Sequence, residues 1–312
     1  MLSVVISTHN PNRSRLQRTL AGLRVQSLPV DQWETIIIDN RSDPEVTTSE
    51  ITTDAPRNLR IVKESRLGLS IARRRGLLES KGDLIILVDD DNVLARDYLE
   101  TATRLLQTHT QLGAAGGRSV PEFESKPENW VAEFHDLLAC RDLGAEVIIA
   151  HRKIAAPGRL AYPTCAPIGA GMILRRESAM AWLNSSETNA ISDRLGTALS
   201  SGGDNDIILT VFAAGWAVGY FPSLSLIHLI PETRTSKQYL GRLNRGIAES
   251  WVKVLAKHGA CPWLPIPVWS VPLRQFRSYF RHFAWSSPAA WVRWQGTCGH
   301  FAGLAAIGRN LN

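Results

Sequence analysis

Cysteine is scarce in this sequence, and the cysteines that are present form no recognisable motif. The 312 residues include four cysteines, which lie far apart and form no C-x-x-C pair. Zinc sites and disulfide frameworks both depend on closely or regularly spaced cysteines. We therefore expect neither of them, and we expect buried, reduced thiols, which are typical of a cytoplasmic protein.

Long apolar runs and the common nucleotide-binding and calcium-binding loops are also missing. No apolar stretch approaches the roughly 18 residues that a membrane-spanning helix needs. The first residues, MLSVVISTHNP, lack a basic start and soon turn polar, so they do not predict a signal peptide. The sequence contains neither the P-loop pattern G-x-x-x-x-G-K-[ST] nor the ligand ladder of an EF-hand. Apolar residues at 44% and charged residues at 21% fit a folded globular protein.

Acidic residues are scarce in the last quarter of the chain. Residues 231–312 contain eleven Lys or Arg against only Glu232 and Glu249, a net charge of +9, so the first 230 residues sum to about −3 within a total of +6. Six of the ten tryptophans lie in the same segment. This composition predicts a helical basic extension that either packs on the body of the protein or contacts an anionic membrane at its cytoplasmic face. Nucleic acid is not expected, because no nucleic-acid-binding motif accompanies the basic and aromatic residues.

Continuous apolar runs that alternate with helical patterns predict a sheet covered on both faces. The predicted strands cover residues 2–7, 33–40, 59–64 and 84–88, and helices are expected from about residue 12 and over 69–80. Strands without polar alternation are typical of a mainly parallel sheet. Thr8, Asp39 and Asp89 stand at the ends of three of these strands, on the edge where open α/β sheets bind ligands. The pattern therefore predicts a ligand site at that edge.

After residue 115 the sequence predicts an α+β region with less regular elements. Its glycine-rich and proline-rich part, GAAGGRSVPEFESKPENW, is predicted to be a crossing. The remaining elements are predicted to be a strand and helix over 169–183, a helix ending near Gly215, two short strands divided by Pro222, and a helix over about 236–257.

Three consecutive aspartates follow the strand that ends near residue 88. Like charges repel, so the adjacency of Asp89, Asp90 and Asp91 is not explained by stability. Hard cations such as Mg²⁺ or Mn²⁺ bind carboxylate oxygens together with phosphate oxygens and water. A turn in which one Asp caps the next helix is the structural alternative. The cluster favours a divalent metal that carries a diphosphate, and the middle residue, Asp90, is expected to point away.

Five motifs in order resemble those of family 2 glycosyltransferases with the GT-A fold. They read VVISTHNP, IIIDNRSD, GLSIARRRG, LILVDDDN and GGDNDIILTVFAAGW, and the resemblance covers roughly residues 2–230. It implies an α/β, Rossmann-like fold with a mixed, mainly parallel sheet flanked by helices. Residues 1–115 would form the nucleotide-sugar-binding half and residues 116–230 the acceptor-binding and catalytic half. Residues 231–312 would form the helical basic extension.

The resemblance also implies roles for the donor-site residues. Thr8 matches a position that touches the nucleotide, and Asp39 matches the acidic residue that typically hydrogen-bonds the base. Arg73 occupies the arginine of the family's A-R-N helix, near the base and phosphate. Asp89 and Asp91 match the D-x-D, with Asp91 the more direct metal ligand and Asp89 nearer the ribose or donor sugar. From the residues alone, the arginines around Arg73 could equally form a solvated helix face.

The second half contributes the reacting group in the same resemblance. Asp204 matches the aspartate that acts as general base in inverting members, although Gly203 replaces the Glu that usually precedes it. An N-cap role for Asp204 and a catalytic role for Asp206 stay open. His228 is a candidate third metal ligand or a structural histidine, and Arg234 is a candidate clamp for the diphosphate.

These assignments imply a metal-dependent inverting glycosyltransferase. It would use Mn²⁺ or Mg²⁺ to move a sugar from a nucleoside-diphosphate sugar to a hydroxyl of a glycan or lipid-linked acceptor, as in polysaccharide biosynthesis. Two alternatives remain: a sugar-nucleotide nucleotidyltransferase, and a non-catalytic nucleotide-sugar-binding or glycan-binding protein of the same fold. The first would normally carry a glycine-rich phosphate loop after the first strand, whereas THNPNRSRL contains no glycine.

Overall fold

The computed structural model describes residues 1–51, 55–156, 159–185 and 202–309. The strands are β1 (Leu2–Thr8), β2 (Trp33–Asp39), β3 (Leu59–Lys63), β4 (Leu84–Asp89), β5 (Asn92–Leu94), β6 (Leu112–Phe123), β7 (Ile148–Ala150), β8 (Ile154–Ala156), β9 (Arg159–Leu160), β10 (Ile173–Arg175) and β11 (Ala217–Ile230). The α-helices are α1 (Arg13–Arg24), α2 (Thr48–Ile51), α3 (Leu69–Glu79), α4 (Tyr98–Thr108), α5 (Arg176–Ser185), α6 (Gly203–Ala213), α7 (Lys237–Lys257), α8 (Val271–Arg281) and α9 (Pro288–Arg309). Residues 186–201 lie outside the described residues.

The predicted α/β architecture is confirmed, with one large mixed sheet at its centre. The strand order is β3-β2-β1-β4-β10-β6-β11-β5, and β7 also pairs with β11. Strands β1 to β4 are parallel to one another, as their apolar sequences predict. Thr8 is paired with Asp39, and Ser7 with Asp89, so the carboxyl ends of three strands meet on one edge. This is the edge at which the sequence predicted a ligand site.

The second half of the sheet is antiparallel where it joins the first. β10 runs antiparallel to both β4 and β6, while β6 and β11 are parallel. Two predictions are wrong here. The predicted crossing forms the long strand β6, and the two strands expected around Pro222 form the single strand β11, with an irregular register between Tyr220 and Ser225. Pro222 cannot donate to a ladder, which explains the irregularity but did not require the strand to end.

Helices cover both faces of the sheet, as predicted. α1 buries Leu16, Leu20 and Leu23 against one face, and its N-cap Asn12 accepts a hydrogen bond from the backbone of Arg15. α3 and α6 cover the other face, where their apolar side chains join those of β2 and β4 in a second core. The sheet thus places the loops that follow β1, β2 and β4 side by side at one edge.

The basic extension is helical, as predicted, and part of it packs on the body. α7 and α9 lie against each other so closely that a Cβ at Gly299 would overlap the carbonyl oxygen of Arg245. Leu240 and Leu243 of α7 also enter a third apolar cluster with the 3₁₀ segment Asn129–Leu138. In the described ranges, no helix is both long and apolar enough to cross a membrane. The predicted boundary after residue 115 falls inside β6 and the one after 230 at the end of β11, and the three-part division stays a prediction.

Candidate active site

A cleft opens at the carboxyl ends of β1 and β4. It encloses about 990 Å³ of space, a figure that includes its solvent-open mouth. Its lining comprises Ser7, Thr8, His9, Asn40, Leu67, Leu69, Ala72, Asp89, Asp90, Asp91, Leu137, Leu138, Ala139, His228, Arg234, Tyr239 and Leu243. The loops after two parallel strands therefore meet the 3₁₀ segment, β11 and α7 around one space.

All three aspartates line this cleft, which corrects the expectation for Asp90. Asp90 does not point away: its carboxylate accepts a hydrogen bond from the Thr8 hydroxyl. Burial, together with the charges of Asp91 and Asp89, raises the pKa of Asp90 to about 7. Asn92 holds the turn, because its side-chain oxygen accepts from the Asp89 backbone N–H at 3.1 Å and its amide donates to Asp91 Oδ1 at 3.2 Å. A turn tightened by Asn92 aims three neighbouring carboxylates into the cleft.

Arg73 joins the first half of the protein to the second. It is buried on α3, and its guanidinium forms an ion pair with Asp204 and a longer contact of 3.5 Å to Asp89 Oδ1. The other carboxylate oxygen of Asp204 accepts from the backbone N–H of Gly169 at 2.9 Å. Arg73 is therefore not part of a solvated helix face. Arg73 therefore contacts both Asp89 and Asp204, two predicted site residues that are 115 positions apart in the sequence.

Asp204 is not the N-cap of its helix. The N-cap of α6 is Gly202, and Asp204 lies in the first turn. Its carboxylate is partly exposed and keeps its orientation through Arg73 and Gly169. A carboxylate at a helix N-terminus is also favoured by the helix dipole.

Asp206, the other candidate base, is engaged elsewhere. Its buried carboxylate accepts from Trp182 Nε1 at 2.9 Å, and its two oxygens lie 2.8 and 3.0 Å from Lys257 Nζ. His258 Nε2 lies 2.7 Å from the same group. Although burial alone would raise the pKa of Asp206, the hydrogen bonds from His258, Lys257 and Trp182 hold it below its ordinary value. Asp206 therefore ties α6 to α5 and to the end of α7.

Asp91, His228 and Arg234 converge on the other side of the cleft. Asp91 is 3% exposed; its Oδ2 accepts from Arg234 Nη1 at 2.9 Å, and its Oδ1 lies 3.3 Å from His228 Nε2. The pairing of β5 with β11 places His228 opposite Asn92, one residue from Asp91. His228 Nδ1 is buried and has no hydrogen-bond partner among the residues that the structure describes. The structure thus brings these three predicted site residues together, and their roles stay a prediction.

The side-chain atoms that could coordinate a metal ion supply only part of its coordination shell. Within the described residues, no group of three or more His, Cys, Asp or Glu side chains is arranged to hold a metal ion. Asp91 Oδ1 and His228 Nε2 nevertheless face each other, and the carboxylate suits Mn²⁺ or Mg²⁺ when phosphate and water complete the shell. Asp89, two residues before Asp91, is a further carboxylate of the cleft, and its contact to Arg73 is long. The set fits an open site that depends on its substrate for ligands.

Asp39 lies at the end of β2 but does not line the cleft. Its two carboxylate oxygens accept from the backbone N–H groups of Ser42 at 3.1 Å and Val46 at 3.0 Å. The following residue, Asn40, lines the cleft instead and bonds the backbone of Arg66 and Gly68. In this structure Asp39 holds the loop that carries Asn40, and its contact with a base stays a prediction.

Sequence analysis missed several residues of the cleft. Tyr239 and Leu243 come from α7, and Leu137 to Ala139 come from the end of the 3₁₀ segment and its C-cap. No local pattern marks them, because they reach the cleft only through the packing of distant elements. Asn40 could have been found, since it directly follows Asp39 at the same strand end.

Comparison with known proteins decides the family. The model of "Glycosyl transferase family 2" matches residues 3–182, more than half of the chain. The chain belongs to this family. As a member of glycosyl transferase family 2, it is a glycosyltransferase, and the resemblance found in the sequence motifs is confirmed.

Proteins similar in sequence to this glycosyltransferase carry names that refer to the synthesis of glycans. The succinoglycan biosynthesis protein ExoM of Rhizobium meliloti is 25% identical over 269 residues, which cover 83% of this chain and 77% of ExoM. An N-acetylglucosaminyltransferase of Rhizobium sp. is 25% identical over 175 residues, 55% of this chain but only 35% of the relative. These relatives support a place in glycan biosynthesis.

A solved structure is similar in fold. The mannosyltransferase PcManGT from Pyrobaculum calidifontis, in complex with GDP-Man and Mn²⁺, aligns with a TM-score of 0.56 and 17% identity. The alignment covers 99% of this glycosyltransferase and 86% of that chain. At this identity the likeness shows the GT-A fold alone.

Proposed function

We propose that this glycosyltransferase moves a sugar, with inversion, from a nucleoside-diphosphate sugar to a hydroxyl group of a glycan or lipid-linked acceptor. The observation that carries the proposal is the placement of Asp204 on the same buried guanidinium as Asp89, which lines the cleft. If a donor sugar is held beside Asp89, the Asp204 carboxylate would lie within reach of the acceptor hydroxyl that attacks that sugar. The relation to ExoM supports a product in cell-envelope or extracellular polysaccharide synthesis.

Asp204 is the general base in this proposal. As the acceptor oxygen bonds to the anomeric carbon, the bond from that carbon to the diphosphate breaks on the opposite face, and the hydroxyl proton passes to Asp204. Arg73 and the Gly169 N–H hold the carboxylate in one orientation, so little reorganisation is needed at the moment of attack. General-base help of this kind contributes on the order of 10² to 10⁴ in rate.

The opposite side of the cleft binds the diphosphate. Arg234 offers a guanidinium that matches phosphate oxygens in pairs. Asp91 and His228, with Asp89, would hold a Mn²⁺ or Mg²⁺ ion that neutralises charge on the departing diphosphate. Thr8, whose hydroxyl is fixed by Asp90, and the loop anchored by Asp39 lie on the nucleoside side.

The acceptor and the location of the enzyme complete the proposal. A lipid-linked acceptor would lie in a membrane, and a cytoplasmic enzyme that reaches it benefits from peripheral contact with the anionic inner leaflet. The basic extension supplies the cations for such contact.

The proposal is tested by Asp204→Asn. We expect transfer to fall by about 10² to 10⁴ while the donor still raises the unfolding temperature, because the donor contacts remain. The measurement is initial-rate release of the nucleoside diphosphate, with UDP-, GDP- and dTDP-sugars tested in turn, with Mn²⁺ and with a chelator. The exposed Asp97, which forms no side-chain cap, provides the matched control Asp97→Asn with unchanged rate. Full transfer by folded Asp204→Asn would exclude the role of this base.

A further inference from the structure

The outer side of α8 presents an exposed apolar surface that the catalytic site does not use. We call it the α8 face; it consists of six side chains, each more than half exposed in the described structure: Trp269, Leu273, Phe276, Phe280, Phe283 and Trp285. Within α8, three of them follow the spacing i, i+3, i+7, so they lie on one side of the helix. Phe280 contacts both Phe276 and Trp285, with ring centroids 5.1 and 5.6 Å apart, so these three rings form one patch.

The opposite side of α8 is fixed to the body. Ser278 is buried, the carbonyl of Gln275 accepts from Trp294 Nε1 at 3.1 Å, and His282 lies 2.9 Å from the Thr297 hydroxyl. Both tryptophan and threonine belong to α9, which itself packs on α7. The exposure of the α8 face is therefore a property of a helix held in place.

Positive charge flanks the α8 face on one side. At 100° per residue, Arg274, Arg277 and Arg281 lie beside the apolar residues, between them and the packed side, and all three are exposed. The sequence from residue 250 to 312 contains no Asp or Glu at all, against seven Lys or Arg. An apolar face rich in Trp and Phe beside a row of arginines is the pattern of a helix that lies in a membrane interface.

We propose that α8 lies in the plane of an anionic lipid bilayer, with the α8 face among the acyl chains and Arg274, Arg277 and Arg281 on the lipid phosphates. This deepens the proposed function by naming the surface that meets the membrane. A second copy of the chain fits less well, because a two-fold contact with the two α8 helices antiparallel would bring the two arginine rows together. A bilayer with negative headgroups complements both the apolar area and the charge.

The test measures co-sedimentation of the full chain with vesicles, which needs no turnover and so can fail independently of the proposed reaction. We expect strong binding to phosphatidylcholine vesicles that contain phosphatidylglycerol, weak binding to phosphatidylcholine alone, and loss of binding at high salt. Phe276→Ser/Phe280→Ser should weaken binding by at least about 100-fold, because two phenyl rings no longer leave water. Neutralising the three arginines to Gln should weaken it by about 10²-fold, at roughly fivefold for each.

Matched controls carry the same changes on other surfaces. The apolar control is Val25→Ser/Leu78→Ser, and the charge control is Arg57→Gln/Arg96→Gln/Arg104→Gln, all at exposed positions outside the cleft. Both should bind vesicles like the unchanged protein, and all variants should keep its unfolding temperature and its stabilisation by the donor. Absence of vesicle binding, equal losses in the controls, or a concentration-dependent dimer abolished by Phe276→Ser/Phe280→Ser would overturn the proposal.

Discussion

Gly169 is the position where a single added carbon should disturb the proposed base most directly. An ideal Cβ there would lie 2.5 and 2.6 Å from the two carboxylate oxygens of Asp204 and would also overlap Arg73 Nη2. Ordinary contact for a Cβ begins near 3.4 Å, so Gly169→Ala requires the carboxylate to move by about 0.9 Å.

The size of the effect follows from this displacement. A misplacement of about 1 Å at a reacting group can cost roughly 10²-fold in rate, which corresponds to about 2.7 kcal/mol of activation free energy. Stability should change much less, by about 1 kcal/mol, because only the ends of two flexible side chains must move. We therefore expect kcat for sugar transfer to fall about 10²-fold while the unfolding temperature falls by only about 2 °C.

The assay compares initial rates of nucleoside-diphosphate release in the presence of acceptor, together with thermal unfolding. Gly296→Ala is the matched control, because its Cβ would meet the side-chain amide of Asn244 at 2.5 to 2.9 Å, in the contact of α7 with α9 and outside the cleft lining. It should unfold like Gly169→Ala and transfer sugar at the unchanged rate. If Gly169→Ala kept full kcat, the position of the Asp204 carboxylate would not govern the reaction, and the reasoning would be refuted.

Three further changes separate structural from ligand-binding roles. Asp206→Asn should lower the free energy of unfolding by about 3 kcal/mol in urea titrations at pH 7, because Lys257 loses its buried partner. Because the folded-state pKa of Asp206 is lowered, its contribution is present above the ordinary carboxyl pKa of about 4 and is lost as the pH falls through the folded value, so the difference should shrink below about pH 4. Asp39→Asn should cost about 1–3 kcal/mol of stability, since an amide oxygen cannot satisfy both backbone donors of the loop, and should alter nucleobase preference in a thermal-shift panel. Arg234→Gln should weaken nucleoside-diphosphate binding by about tenfold in calorimetric titration.

Exposed residues of the same type provide the comparisons. Asp97→Asn should leave stability within about 1 kcal/mol, and Arg104→Gln should leave donor affinity unchanged. A stability loss by Asp206→Asn that persisted undiminished at low pH would contradict the ionic account. If Asp39→Asn left nucleobase preference unaltered, the role of Asp39 would be limited to stabilising the loop. If Arg234→Gln left the affinity for the nucleoside diphosphate unaltered, Arg234 would not bind the diphosphate.

The prediction that these strand ends share one edge of the sheet was correct because it depends on local sequence patterns. The runs before Thr8, Asp39 and Asp89 are apolar without alternation, which only a strand buried on both faces tolerates. Parallel neighbours then bring their carboxyl ends together without further information. The prediction for β6 and β11 failed because glycine and proline usually interrupt strands, whereas here Gly117 allows the backbone of Leu224 to approach where β11 is irregular.

By itself, the sequence determined the α/β class, the strands of the first half, the edge on which the aspartates lie and the family motifs. Those features depend on periodicity and on residues close together in the chain. Only the tertiary structure decided that Arg73 holds Asp204, that Asp206 belongs to a buried cluster with Lys257, and that Asp90 turns into the cleft. A carboxylate can pair with any cation that packing brings within reach, so its partner is chosen by contacts between elements far apart in sequence.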